Sequence, residues 1–209
     1  MLNVCQNCGS YRIDKIIDPA GPFAVCPDCN HKHSFLYLPL LFVCGASGTG
    51  KSTIQNLLLG RLNTAVILDG DILWRPEFNT PENNFQAFFE TWLRLAKNIA
   101  QSGRPVVLFN AGSLPDNIEP CVERRYFSDT HYLALVCHDT ELKQRLRQRP
   151  AWRKCDDAFI KEQIRFNRWL NKNSRKTTPM LELLDTSEDS ITQSAEKVAL
   201  WIQEKIRQP

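Results

Sequence analysis

Three groups of residues in this chain have the types and spacing to do chemistry. The first is Gly45-Ala46-Ser47-Gly48-Thr49-Gly50-Lys51-Ser52, followed by Thr53. It reads G-x-x-x-x-G-K-S, the phosphate-binding loop pattern. Glycines let the backbone bend until several N–H groups point at one phosphate, and a following helix adds the positive end of its dipole. Lys51 is then placed to reach the β- and γ-phosphates of ATP, and the Ser52 hydroxyl to hold Mg²⁺. The second group is Asp69-Gly70-Asp71. Two carboxylates at i and i+2 share one side of a strand. One can hold a Mg²⁺ water shell while the other takes a proton from an attacking hydroxyl, and residue type alone leaves open which of the two is the base. The third group is Cys5-x-x-Cys8 and Cys26-x-x-Cys29, separated by seventeen residues. That spacing fits a structural zinc site of four thiolates with no open coordination position. A redox dithiol is the alternative. His31 and His33 follow and could substitute as ligands; with four cysteines present they are expected as exposed polar residues of a strand.

Basic residues make a fourth cluster. Arg145, Arg147, Arg149 and Arg153 fall within nine residues, and Arg145 and Arg149 are four apart on one helix face. They form either a phosphate clamp or a solvated basic face. Arg124-Arg125 reads as a solvated basic face. Asn110 stands at the end of the third sheet strand, where many ATPases of this type carry a metal-binding aspartate. The acid must then come from Asp69 or Asp71, or hydrolysis is poor.

The elements that must position these groups can be read in order. Leu40–Cys44 is an apolar run suited to a buried parallel strand, and the residues after Ser52 are apolar at helical spacing. Further strands are predicted at 65–68, 106–109, 132–137 and 180–184. The carboxyl ends of such strands are where open α/β sheets place ligands. Thr80-Pro81-Glu82 is a helix start, and 85–100 has a broad amphipathic face. A short helix is expected over 116–126, one over 140–149 stopped by Pro150, a long one over 157–171, and a closing helix whose entry has capping-box spacing at Thr186 and Asp189. The 140–149 helix has few apolar residues and is expected to be mobile without ligand.

The chain has 209 residues, a net charge of +3, and 26 basic against 23 acidic residues. That balance is too weak to argue for nucleic acid. No apolar run is long enough for a bilayer, and the cysteines sit in CxxC pairs with nothing suggesting secretion, so a reducing cytoplasm is expected. Residues 1–36 read as a zinc ribbon whose metal supplies much of its stability, and 37–209 as the phosphate-binding domain, with a lid at about 140–156.

With these pieces in order, residues 40–207 resemble the nucleoside/nucleotide-kinase-like group of P-loop proteins, which includes adenylate, shikimate, gluconate and adenylylsulfate kinases. The whole arrangement looks most like bacterial chains described as ATP-binding proteins or nucleoside kinases. The resemblance implies an α/β three-layer P-loop fold with a five-stranded parallel sheet of order 2-3-1-4-5. It implies that Asp69 orients Mg²⁺ water and Asp71 meets the acceptor hydroxyl, and that Arg145 and Arg149 belong to the lid. Asp156-Asp157 followed by Arg165 is similar to a stretch after the lid in adenylate kinases, with Arg153 one position upstream of the arginine found there. Asp185-Thr186-Ser187 resembles the loop near the adenine. Arg75 and Arg165 are expected on the acceptor side. The zinc ribbon stands outside that family pattern. The function expected is ATP-dependent transfer of a phosphoryl group to a small-molecule acceptor. The alternatives are a nucleotide-dependent switch, or a kinase of nucleic-acid ends with the ribbon as grip. Oligomeric state is left open.

Overall fold

A computed structural model describes residues 2–207 of the chain. Its centre is β4 (Leu40–Gly45), buried at every residue. Residue parity sorts this strand onto two faces. Leu40, Phe42 and Cys44 enter one apolar cluster, and Leu41 and Val43 the other. Around it lie β5 (Val66–Asp69), β6 (Val106–Phe109), β7 (Thr130–Val136) and β8 (Leu181–Asp185), all parallel, in the order β5-β6-β4-β7-β8. That is the expected 2-3-1-4-5 order.

Helices cover both faces, as a parallel sheet requires. α1 (Lys51–Leu58) and α6 (Ile191–Arg207) cover one through Ile54, Leu58, Val198 and Ile202. α2 (Gln86–Ala100) and α5 (Asp157–Asn173) cover the other through Phe88, Phe89, Trp92 and Leu170. Some boundaries differ from expectation. Thr80-Pro81-Glu82 opens only a short 3-10 turn, and left-handed Asn84 and Phe85 separate it from α2. Residues 116–126 form α3 (Pro115–Ile118) and a separate 3-10 turn, Val122–Tyr126. The capping box of α6 is formed by Ser190 and Gln193, not Thr186 and Asp189. The Ser190 N–H donates to Gln193 Oε1 at 2.8 Å and the Gln193 N–H to Ser190 Oγ at 3.2 Å. Among the described residues no helix is long and apolar enough to cross a membrane.

The N-terminal residues make a small antiparallel sheet, β1 (Ile16–Asp18), β2 (Phe23–Val25) and β3 (Lys32–Ser34). It sits against α2 and the Val122–Tyr126 turn. Leu2, Ala24 and Phe35 cluster with Tyr126. The Tyr126 hydroxyl donates to the Ile13 carbonyl at 2.9 Å and accepts from the Lys15 N–H at 3.3 Å. Gln101 exchanges two bonds with the Leu36 backbone. Arg124 is partly buried, and Arg125, though exposed, is engaged. Arg124 pairs with Glu119 at 3.1 Å, and Arg125 donates to the Asp14 and Lys15 carbonyls. His33 is buried rather than exposed.

α4 (Asp139–Arg147) matches the expected helix to within two residues at each end. Its apolar residues are few but well placed. Leu142 and Leu146 are fully buried against Ala46 and Ile160. A methyl group at Gly48 would stand 2.8 Å from Leu142 and 3.2 Å from Leu146, so the phosphate loop rests on these two side chains. Leu142→Ala should therefore destabilise the protein by about 2–5 kcal/mol in denaturant unfolding. A loss below about 1 kcal/mol, well under that range, would mean that α4 is not anchored here.

Candidate functional site

The Gly45–Ser52 loop is shaped by positive φ angles at Gly45 (137°), Gly48 (97°) and Gly50 (100°). A side chain at Gly45 would strike the Leu135 carbonyl oxygen at 2.4 Å, which fixes glycine there. Thr49 is buried, its hydroxyl donating to the Ala46 carbonyl at 2.9 Å. The Ser47 N–H donates to Gln163 Oε1 of α5 at 2.8 Å. Lys51 Nζ turns back onto the loop and donates to the carbonyls of Gly45 at 2.5 Å and Ala46 at 2.9 Å. Desolvation lowers the Lys51 pKa to about 8, with Cys44 and Asp71 opposing the drop and Arg149 adding to it.

Across the cleft, Asp69 ends β5 and caps the next 3-10 turn, its Oδ1 accepting the Asp71 N–H at 2.9 Å. Two residues fix this turn. Trp92, fully buried on α2, donates its indole N–H to the Gly70 carbonyl at 3.0 Å. Asn110, at the end of β6, donates from Nδ2 to Asp71 Oδ1 at 3.3 Å while its Oδ1 accepts the Gly112 N–H at 2.9 Å. A methyl group on Gly70 would stand 2.5 Å from Asn110 Cβ, so glycine is needed for this approach. Burial raises the Asp71 pKa, and the Asp69 charge adds to the rise.

The third wall is basic. Arg145, Arg149 and Arg153 line the same cleft as Lys51, Ser52, Thr53, Asp69 and Asp71, with a volume of about 500 Å³. Arg145 is already engaged. It pairs with Glu141 at 2.8 Å and donates to the Thr186 hydroxyl at 3.2 Å and carbonyl at 2.7 Å. The Thr186 hydroxyl in turn lies 3.2 Å from the Thr49 and Val136 carbonyls, so Thr186 ties β7, the phosphate loop and α4 together. Arg149 and Arg153 make no side-chain hydrogen bond or ion pair among the described residues; Arg153 stacks on exposed Trp152, 4.7 Å from the ring centre.

The structure brings together Gly48–Thr53, Asp69, Asp71, Arg145, Arg149 and Thr186. It leaves Arg75 and Arg165 outside the cleft, both exposed. Arg75 leads into the 3-10 turn Pro76–Phe78, and Arg165 falls on the outer side of α5. Asp156 accepts the Phe159 N–H at 2.8 Å as the N-cap of α5, and Asp157 pairs with Arg147 at 3.4 Å, so that acidic pair holds a helix start rather than a ligand. The positioning roles of Asn110, Trp92 and Gln163 were not foreseen. Only Asn110 carried a signal, through its place at a strand end.

The four cysteine Sγ atoms lie within 4.8 Å of one another, with Cys5–Cys29 at 3.6 Å and Cys8–Cys26 at 3.8 Å, and none is in a disulfide. A zinc tetrathiolate with Zn–S near 2.3 Å has sulfurs about 3.8 Å apart. The donor set and spacing therefore fit zinc, with two ligands (Cys5 and Cys26) fully buried.

In sequence, residues 40–171 match the family described as AAA domain. An unliganded sugar kinase from Janibacter sp. HTCC2649 has a similar structure, with a TM-score of 0.60 at 17% identity, over 81% of this chain and 96% of its own. A gluconokinase from Sinorhizobium meliloti 1021 gives 0.48 at 15% identity, over 80% of this chain and 98% of its own. A shikimate kinase from Acinetobacter baumannii, in complex with shikimate, gives 0.48 at 17% identity, over 82% and 96%. At these identities the likeness shows the fold alone, and the first structure carries it. No curated protein matches the sequence.

With Lys51 at about 8, a triphosphate placed against it restores its charge. Binding of MgATP at pH 8 should therefore take up to about half a proton, falling to about a tenth at pH 7. Calorimetry in buffers of different ionisation enthalpy checks this. Equal uptake at the two pH values would contradict it.

Proposed function

Because the chain belongs to the AAA domain family and has the fold of P-loop kinases, we propose that it is an ATP-dependent phosphotransferase. Its acceptor would be a small molecule: a nucleoside, a nucleotide or another hydroxylated metabolite. The observation that carries this reading is the fixed turn at Asp71, which faces Lys51 and Arg149 across one cleft. An oriented carboxylate opposite the phosphate loop is what a kinase of alcohols needs to take the acceptor proton.

The chain's own groups divide the work. Loop N–H groups and Lys51 hold the β- and γ-phosphates. Mg²⁺, which Ser52 and Asp69 would hold, supplies charge neutralisation across those phosphates when bound. Asn110 occupies one oxygen of Asp71, leaving the other for the acceptor. Asp71 takes the hydroxyl proton as the acceptor oxygen bonds to the γ-phosphorus, and the bond to the bridging oxygen of ADP breaks. Arg149 and Arg153 meet charge that redistributes in the transition state, so their contribution falls on the chemical step. Arg145 acts differently, holding Thr186 and the loop in place. Zinc on Cys5, Cys8, Cys26 and Cys29 would be a structural cross-link of the N-terminal sheet.

Acceptor-dependent ADP release, screened over polyols, sugars, nucleosides and nucleoside monophosphates, tests the reading. ADP release indifferent to every acceptor would sink it. With an acceptor found, the base must be ionised, and Asp71 titrates above the usual carboxylate range. The rate should fall as pH drops through that raised value, and Asp71→Asn should lose both the rate and this acid limb. An unchanged acid limb in the variant would assign the base elsewhere. Arg149→Ala should lower kcat roughly a hundredfold with far less change in ATP affinity, and Arg149→Lys should not restore it. Steady-state kinetics beside direct ATP titration separates the two effects; a loss confined to affinity would demote Arg149 to ground-state binding.

A further inference from the structure

The N-terminal sheet carries a buried cation that the proposed reaction does not use. Lys15 is fully buried, and its Nζ has no hydrogen-bond partner among the described residues. A buried ammonium persists only with a compensating charge close by. The nearby carboxylates are taken. Glu123, itself fully buried, is held by Lys97 and by Arg94 at 2.9 Å, and Lys97 also donates to Asn3. Both oxygens of Asp14 accept from Arg12, at 2.8 Å each. The Tyr126 hydroxyl is engaged by the Lys15 N–H and the Ile13 carbonyl. β1 pairs Ile16 with Val25 and Ile17 with Ala24 on β2, a register that brings Lys15 level with Cys26; burial works against the Lys15 charge, and the charge of the sulfurs of Cys5, Cys8, Cys26 and Cys29 supports it.

Four thiolates around one zinc ion carry a net charge of minus two, delocalised over sulfurs that accept N–H hydrogen bonds. Without metal, nothing holds all four sulfurs as thiolates at once, and Lys15 loses most of its compensating charge. We propose that Lys15 is the buried counter-charge of a zinc–tetrathiolate centre, and that this pairing makes docking of the N-terminal sheet on α2 metal-dependent. The proposal rests on the zinc reading above. Its consequence reaches the cleft. The sheet fastens on the C-terminal half of α2, at Lys97 and Gln101, and the same helix carries Trp92, which holds the Gly70 carbonyl. Losing the metal would release the outer end of the helix that positions Asp71.

The test compares wild type, Lys15→Met and Lys15→Arg, with zinc itself as the probe. Zinc content is measured by atomic emission and affinity by competition with a chromophoric chelator. Lys15→Met keeps the length and removes the charge, and should bind zinc roughly 10- to 100-fold more weakly, the range for outer partners of a metal site. Lys15→Arg should stay closer to wild type. Hydrogen exchange on wild type, with and without chelator, covers a Lys15→Met that fails to fold. Stripping zinc should raise exchange at residues 94–101 and 122–126 while 106–109 of the central sheet stays protected. Zinc held as tightly by Lys15→Met as by wild type, or unchanged exchange after stripping, overturns the inference while leaving the zinc site standing. Wild-type protein that takes up no zinc overturns the metal reading and the inference with it.

Discussion

The molecule depends on one constraint: the chain leaving β4 must turn without side-chain bulk and still be held from every side. Gly45 passes too close to the Leu135 carbonyl for any other residue, and Gly48 sits on Leu142 and Leu146. Thr49 closes the loop on Ala46. Thr186 bonds the Thr49 and Val136 carbonyls, and Arg145 bonds Thr186. The phosphate loop is thus preorganised by β7, β8, α4 and α5 together. A site built this way spends little on ordering when an anion arrives, which is what catalysis by positioning requires.

The opposite wall is organised on the same terms. A buried indole and one amide hold the Asp69-Gly70-Asp71 turn, and the glycine between the acids lets Asn110 approach. Asn110 cannot bind metal as an aspartate would, but it orients an acid without adding charge. That suits a base whose pKa already stands high through burial and the neighbouring Asp69. Arg149 and Arg153 flank Pro150 on the third wall, half-buried Arg149 before it and exposed Arg153 after it.

Much of this was legible in the residues. The G-x-x-x-x-G-K-S spacing, the apolar run before it and the Asp pair at the end of β5 pointed to the cleft that the fold forms, and strand runs with the family pattern implied the sheet order. What was not legible lies in contacts distant in sequence. Arg145 and Arg149 look equivalent at four-residue spacing, yet only Arg145 meets a loop forty residues on. Arg75 and Arg165 share the charge of cleft residues, but the local turn and helix phase carry them outward. Asp156-Asp157 matched a ligand motif and proved to cap and brace a helix. Two leucines were too few to signal an anchored α4; their value came from meeting the glycine loop. Arg124 and Arg125 read as solvent-facing, yet Arg124 pairs with Glu119 and Arg125, though exposed, reaches the Asp14 carbonyl.

The central claim is that this cleft moves phosphate to an acceptor rather than to water. Phosphorus NMR of wild-type protein with MgATP and an added hydroxyl acceptor measures this directly. The account predicts that the γ-phosphorus signal is replaced by a phosphomonoester growing in step with ADP. A γ-phosphorus recovered only as inorganic phosphate, at a rate unmoved by any acceptor, would contradict it.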